Sequence, residues 1–433
     1  MLRTTAAIVA GKAARLAARR RGGGGSAFPG LVAERVDPRF LAHTLDRLPD
    51  GIVVVSGTNG KTTTTKMLAA VIAAHGKKVF TNPTGSNFTR GVISSMLPEI
   101  RVNGRLDADI AVLELDEWHA LQFADVVAPT HALLLNVARD QLDRFAEIDT
   151  TARLLAQLAA KTTRCVVLNR DDTFVAKIAA DVGGLDVRYF GTDPQALDRV
   201  PSLQEADVRS CDDFTPPQPT PRDGLLHRHD ARSFSVRFGE QILGDVSLQQ
   251  RGLAAMINAA AAVTMAKAVL GESFHKGIAA AALREVMPPF GRGEVIDADG
   301  APLELVLVKN PAGFTVALET YGDDPVTTMI AINDDYADGQ DVSWLYDVSF
   351  ASLRPSGVAL VSGIRAYDMA LRLDYDDVAV TEIELDLDVA LGRFLTAYAG
   401  RPTRIFCTYT AMMALRRTLA ARFGLSDFGE EGA

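Results

Sequence analysis

The stretch GIVVVSGTNGKTTTTKMLAAVIAAHG, residues 51–76, constrains this chain more than any other. A run of apolar, β-branched residues ends at Ser56, a turn bracketed by Gly57 and Gly60 follows, and from Lys61 onward Met67, Leu68, Val71 and Ile72 recur at helical spacing. A buried strand passing through a tight turn into a helix aims backbone N–H groups, the positive end of the helix dipole and one lysine at the same point. That arrangement suits a multiply charged anion. The usual phosphate-loop pattern places a further glycine where this chain has Val55. Even so, the setting between strand and helix points to a nucleotide phosphate site built from Gly57, Thr58, Asn59, Gly60, Lys61, Thr62 and Thr63. Lys61 is expected to neutralise the terminal phosphates and Thr62 to ligate Mg²⁺.

The segments around this loop repeat one theme. GIVVVSG, KKVFTN, ADIAVLEL, THALLLN and RCVVLN are short, continuously apolar runs separated by helical patterns, as expected of βαβ units whose parallel strands are buried on both faces. Ligands of such sheets collect at the carboxyl ends of the strands. There the chain places Glu114, Asp116 and Glu117 after one run and Asn136 and Asp140 after the next, with Glu114 and Asp140 as candidate metal ligands. Residues 197–235, rich in proline and polar groups, read as an insertion or long loop, and an alanine-rich helix follows in AAMINAAAAVTMAKAVLG. At MPPFGRGEVIDADG the proline and glycine density rises again. Beyond it LELVLVKNP, VTTMIAIND, GVALVSG and TRIFCTY predict a smaller second α/β domain. The expected division is residues 1–50 as a basic helix and linker, 51–292 as a central ATP-binding domain with a parallel sheet, and 293–433 as a Rossmann-like C-terminal domain.

A length of 433 residues suits two or three domains, and a net charge of −9 argues against a general nucleic-acid binder. Cys165, Cys211 and Cys407 are far apart with no C-x-x-C pair. Neither a disulfide framework nor a cysteine zinc site is suggested, and a reducing cytoplasm is the expected location. No apolar run in the sequence reads as a membrane span. The N-terminal stretch carries Lys12, Arg15 and Arg19 at helical spacing, which fits an amphipathic basic helix better than an export signal. Two readings stay open for it: a surface helix packing its Leu/Ala/Ile face on the body, or contact with an anionic membrane surface at the inner face. Gly22–Gly25 reads as a flexible joint.

SGTNGKTTTT resembles the G-T-x-G-K-T/S-T loop of the Mur ligase superfamily, ATP-dependent enzymes that form amide bonds. ELDE is similar to that superfamily's metal-binding strand end, and NVARDQLDRFAEID to its N-x-x-x-D-H-x-D segment, with Gln141 in place of the histidine. RGLAAMINAAAA resembles the helix whose last asparagine, here Asn258, lies near the nucleotide base. FGRGE matches the boundary segment whose arginine, here Arg292, reaches the phosphates. In KNPAGFTVAL the resemblance brings Lys309 and Asn310 toward the nucleotide. The strings PGLVAERVDPRFL, TNPTGSNFTRG, ADGQDVSWLYDVSF and VSGIRAYDMALRL are similar to the MurT family within that superfamily.

The resemblance implies ATP-dependent amidation, with Mg²⁺, of the α-carboxylate of D-glutamate in the lipid II stem peptide through an acyl phosphate. It also implies ammonia from a GatD-type glutaminase subunit in a heterodimer, and no nucleic acid. It places Asp341 where the synthetase completes the partner's catalytic triad; read from the residues alone, Asp341 is a helix N-cap, and Trp344 is packing. Some members carry a four-cysteine zinc ribbon where this chain has residues 197–235, which hold Cys211, His227 and His229. No structural zinc is expected. Two other functions remain open: a Mur-type ligase that joins an amino acid, such as a folylpolyglutamate synthase, and a non-catalytic nucleotide-binding switch.

Overall fold

The computed structural model describes residues 2–20, 27–82, 88–138, 148–193, 215–289, 291–322 and 325–425. Two sheets organise them. The first contains β1 (Gly51–Ser56), β2 (Val79–Thr81), β3 (Ile110–Glu114), β4 (His131–Leu134), β5 (Cys165–Asn169), β6 (Asp186–Thr192), β7 (Gly224–Arg228), β8 (Ser233–Phe238) and β9 (Gln241–Ser247), in the order β2-β3-β1-β4-β5-β6-β7-β8-β9. From β2 to β7 every pairing is parallel, while β7–β8 and β8–β9 are antiparallel. All six residues of β1 and all five of β3 and of β5 are buried, as continuous apolar runs require of strands covered on both faces.

One face of this sheet packs against the helices Lys61–Ala74 and Leu253–Leu270. Alanines 259–262 of the second helix are fully buried, and their small side chains let the two helices approach closely. By length and composition Leu253–Leu270 is apolar enough to cross a membrane, contrary to the expectation that no such run existed. It is instead the central helix of the core. The opposite face is covered by the helices Leu2–Arg20, Ala27–Val36, Phe40–Leu45, Thr89–Glu99, Glu117–Val126 and Ile148–Ala160. The segment expected as a linker before β1 is therefore helical, with Ala33, Phe40, Leu41 and Leu45 buried in the core. Gly22–Gly25 lies outside the described residues.

The stretch expected as a loop insertion is a loop only in part. Residues 197–214, with Cys211, lie outside the described residues, while β7 and the start of β8 extend the sheet. These strands are half-exposed and carry His227 and Arg228, so they make no apolar run.

The second sheet contains β10 (Arg292–Ala298), β11 (Ala301–Leu307), β12 (Thr327–Ala331), β13 (Val358–Ser362), β14 (Val380–Glu384) and β15 (Thr403–Cys407), in the order β10-β11-β15-β12-β13-β14. It is parallel except for the β10–β11 hairpin. The strands thus change sheets between Ser247 and Arg292, and Arg292 opens the second.

His131 begins β4 and is buried, its Nδ1 2.8 Å from the Thr130 hydroxyl. Burial pushes its imidazole down to about 4, assisted by the cations Arg164 and Arg188. The unfolded chain therefore binds this proton more readily between pH about 6.5 and about 4, and His131 makes the fold lose about 3 kcal/mol as pH falls through that window. Urea unfolding of His131→Asn and of the parent chain across this range should show the parent losing more stability. Parallel curves would refute this.

Candidate active site

The first sheet changes direction around β1, with β3 on one side and β4 on the other, so the turn after β1 opens at a topological switch point. Val55 pairs with Glu114 and Ser56 with Leu134, which brings the ends of three strands level. The turn is held in its left-handed conformations by Gly57 (φ 131°) and Gly60 (φ 86°). A Cβ on Gly60 would stand 2.4 Å from Oδ1 of Asn258, so this asparagine lies directly against the loop. Asn136, just past β4, clamps the turn. Its Oδ1 accepts from the Asn59 N–H at 2.8 Å, its Nδ2 donates to the Asn59 carbonyl at 2.9 Å, and its own carbonyl accepts from the Thr58 N–H at 3.0 Å. The Ala138 N–H donates to the Thr58 hydroxyl at 3.1 Å. The loop is thereby fixed with the first turn of the helix Lys61–Ala74, including Thr62 and Thr63, directed at one point.

Lys61 is buried. Its ammonium donates to the Gly57 carbonyl at 2.6 Å and the Thr58 carbonyl at 3.3 Å, and sits 3.2 Å from Asp116 and 4.0 Å from Glu117. Asp116 and Glu117, expected as strand-end acids that could converge on Mg²⁺, flank the lysine. Thr62 donates its hydroxyl to Glu114 Oε1 at 2.8 Å. Glu114 is also tied to Asn82, beyond the carboxyl end of β2. The Asn82 amide donates to the Glu114 carbonyl at 2.8 Å and its Oδ1 accepts the Glu114 N–H at 2.9 Å. Sequence reasoning did not single out Asn82, although KKVFTN was read as a strand ending at that residue. The missing signal was the pairing of two strand ends that are neighbours only in the folded sheet.

The second sheet closes over this point. Arg292, half-buried at the start of β10, has its pKa drawn below the ordinary arginine value by burial, with Glu114 acting as its opposing anion. Gln250 fixes it by donating to its carbonyl at 2.8 Å. Lys309 follows β11 and precedes Asn310, which is fully buried and has two tasks. Its Oδ1 caps the helix Pro311–Tyr321 by accepting from Gly313 at 2.8 Å, and its Nδ2 donates to Asn59 Oδ1 at 3.1 Å. The two domains thus meet through side chains at the phosphate loop itself. Asp140, expected beside Glu114, lies outside the described residues.

Asp341 stands apart from this cluster, exposed in the loop after β12. Its carboxylate accepts from the Ser343 N–H at 2.8 Å, and this bond lowers its pKa. The short helical turn Ser343–Asp347 follows with Val342 at its N-cap position and no side-chain cap, so Asp341, one residue earlier, is not the N-cap that the residues alone suggested. Because β11, β15 and β12 run parallel, this loop leaves the same edge of the second sheet that bears Asn310. Cys165 and Cys407 are buried free thiols in β5 and β15. Burial pushes Cys165 up to about 12 and Cys407 higher still, so neither presents a reactive thiolate.

A phosphate loop at the switch point of one α/β domain, capped by the strand ends of a second α/β domain that reaches it through Arg292 and Asn310, defines the class of Mur-type ligases. Residues 55–266 match the family model described as Mur ligase middle domain, and residues 307–412 the one described as MurT ligase C-terminal. The chain belongs to the MurT family of the Mur ligase superfamily. It is 29% identical to the lipid II isoglutaminyl synthase (glutamine-hydrolyzing) subunit MurT of Streptococcus pneumoniae, over 97% of this chain and 98% of that protein. Among solved structures, MurF from Acinetobacter baumannii superposes with TM-score 0.67 at 17% identity, covering 92% of this chain and 81% of that one. Mycobacterium tuberculosis folylpolyglutamate synthase complexed with ADP does so with TM-score 0.62 at 17% identity, covering 90% and 94%. The two superpositions establish the shared fold.

Proposed function

We propose that this chain is the ATP-dependent synthetase subunit of a lipid II isoglutaminyl synthase. It converts the α-carboxylate of D-glutamate in the lipid II stem peptide to the amide of D-isoglutamine, using ammonia from a GatD-type glutaminase. The observation that carries this reading is the convergence of Lys61, the Thr62–Glu114 pair and Arg292 on one point, in a chain similar from end to end to a MurT subunit. Full-length similarity to that subunit favours ammonia over an amino acid as the nucleophile, and therefore this reading over a folylpolyglutamate synthase.

ATP would lie with its phosphates on the loop, and Asn258 beside Gly60 marks the path toward its base. Among the described residues no group of three or more His, Cys, Asp or Glu side chains is arranged to hold a metal ion. The Thr62 hydroxyl and the Glu114 carboxylate offer two hard oxygen donors 2.8 Å apart, a set that fits Mg²⁺, which completes its shell with phosphate and water oxygens. When bound there, Mg²⁺ supplies charge neutralisation at the phosphates.

Lys61 and Arg292 oppose the charge of the γ-phosphoryl group as a substrate carboxylate oxygen attacks phosphorus. The new carboxyl O–P bond forms while the bond to the β-phosphate oxygen breaks and ADP leaves. Ammonia then attacks the acyl carbon. The C–N bond forms, the C–O bond to phosphate breaks, phosphate departs and the nitrogen gives up its excess proton. The inter-domain link Asn59–Asn310 holds the loop against the second domain, so closure and phosphate alignment are mechanically coupled.

The second domain supplies the partner's docking side in this reading. Exposed Tyr346, in the turn that follows Asp341, lies with its ring 5.9 Å from that of exposed Tyr375, an aromatic pair typical of protein interfaces. The test is amidation of lipid II with ATP and Mg²⁺. The purified chain should form isoglutamine with ammonium alone and use glutamine only when the glutaminase is added. Amide formation with an amino acid in the absence of any partner would favour the folylpolyglutamate-type ligase, and no product with ammonium would overturn the proposal.

A further inference from the structure

The helix Leu2–Arg20 has two faces with opposite tasks. At 100° per residue, Thr4, Ala7, Ile8 and Gly11 share one side, and all four are buried against the body. Gly11 packs between Ala33 and Leu97, and the Thr4 hydroxyl donates to Asp37 at 2.7 Å. Of the Leu/Ala/Ile face expected to pack on the body, Ala7 and Ile8 do so and the leucines do not. Leu2, Val9 and Leu16, spaced seven apart with Ala6 and Ala13 between them, form a continuous stripe on the opposite side, 90%, 56% and 54% exposed respectively. Phe28, at the start of the next helix, is 53% exposed.

Cations accompany this stripe. The helix places Arg3, Lys12 and Arg20 around it and has no acidic residue, in a chain whose net charge is −9. Arg3 and Lys12 project on either side of the stripe, and each donates to a backbone carbonyl, of Val36 at 2.8 Å and of Ile100 at 2.8 Å, which positions the charge without neutralising it. An apolar stripe bordered by cations complements an anionic lipid surface, into which it inserts to headgroup depth. An acidic or apolar protein face would not require both features together.

The position is also informative. Gly30 packs so tightly on the Arg90 carbonyl that a Cβ there would stand 2.0 Å away, which sets the start of the helix Ala27–Val36 beside the start of the helix Thr89–Glu99. That second start follows β2 and Asn82, the residue clamping Glu114. The first helix, with Arg3 at Val36 and Gly11 at Ala33, runs antiparallel to Ala27–Val36, so its Leu16 end and Phe28 lie toward the catalytic edge of the first sheet.

We infer that the outer face of the helix Leu2–Arg20 is a docking surface for anionic membrane lipid that holds the catalytic edge near the bilayer. The benefit of such docking rests on the reading of the substrate as lipid-linked, but the binding itself does not. The test is sedimentation of the full chain with vesicles of phosphatidylcholine alone or mixed with phosphatidylglycerol. Binding is expected only to the anionic vesicles, weakening as salt is raised, and falling about tenfold in the double variant Val9→Ser/Leu16→Ser. Both sites are exposed, so the variant should keep the parent's melting temperature and its ammonium-dependent amidation of a water-soluble stem peptide. Equal binding to neutral vesicles, no binding at all, or a change only in self-association or glutaminase capture would overturn the inference. Failure of amidation with intact vesicle binding would count instead against the proposed function.

Discussion

Lys61→Ala is expected to lower ATP-dependent amidation by about 10³-fold with either ammonium or glutamine as nitrogen source, equivalent to about 4 kcal/mol of transition-state stabilisation. Lys61 is buried at the loop, held by the Gly57 and Thr58 carbonyls and by Asp116, so its ammonium is already placed where the helix N-terminus points. A cation preorganised in a site of low dielectric acts strongly on developing phosphoryl charge and needs no reorganisation during the reaction. Because the residue also packs, Lys61→Met, which keeps most of the stem, separates charge from volume. It should lose activity as fully as the alanine variant while melting close to the parent. Initial rates on lipid II at saturating ATP, with thermal unfolding alongside, check this. Amidation within a few-fold of the parent in either variant would remove the ligase reading and leave a nucleotide-binding switch.

Asp341→Asn should divide the two nitrogen sources. Glutamine-dependent amidation by the complex is expected to fall by about 10²- to 10⁴-fold, the range seen when the acid of a catalytic triad loses its charge. Ammonium-dependent amidation should stay within about twofold, because Asp341 is not among the residues gathered at the phosphate loop. The carboxylate is exposed, and the Ser343 N–H holds its pKa below the ordinary aspartate value, so it is available as an anion to a partner's imidazole. Asparagine is the informative replacement. Its side-chain oxygen still accepts the Ser343 N–H and preserves the turn Ser343–Asp347, whereas only the charge is lost. Equal losses with ammonium and with glutamine would assign Asp341 to the fold rather than to the partner.

The parts of the fold legible in the sequence were those whose burial is complete. β1, β3, β4 and β5 are fully buried because both faces are covered, and each carries an unbroken apolar run with at most one polar residue at an end, a pattern the sequence shows directly. β14 and β9, with most positions exposed or half-exposed, alternate or mix polar and apolar residues and left no comparable signal. The N-terminal region shows a different limit. Its basic spacing revealed a helix, but composition does not say which side of a helix meets the body, and Ile8 rather than Leu2 or Leu16 turned inward.

The sequence by itself determined the phosphate loop, because strand, glycines, lysine and helix are consecutive and their geometry follows from local backbone preferences. It also marked Glu114, Arg292 and Asn310 as residues of consequence. Only the tertiary structure decided how these act together. Thr62 meets Glu114, Asn82 anchors Glu114, Asn258 lies on Gly60, and Asn59 joins Asn310 across the domain boundary. Each of these contacts joins residues at least 32 positions apart, up to 251, and depends on strand order and sheet closure. Contacts of that kind are set by the packing of whole elements, which no local run of residues encodes.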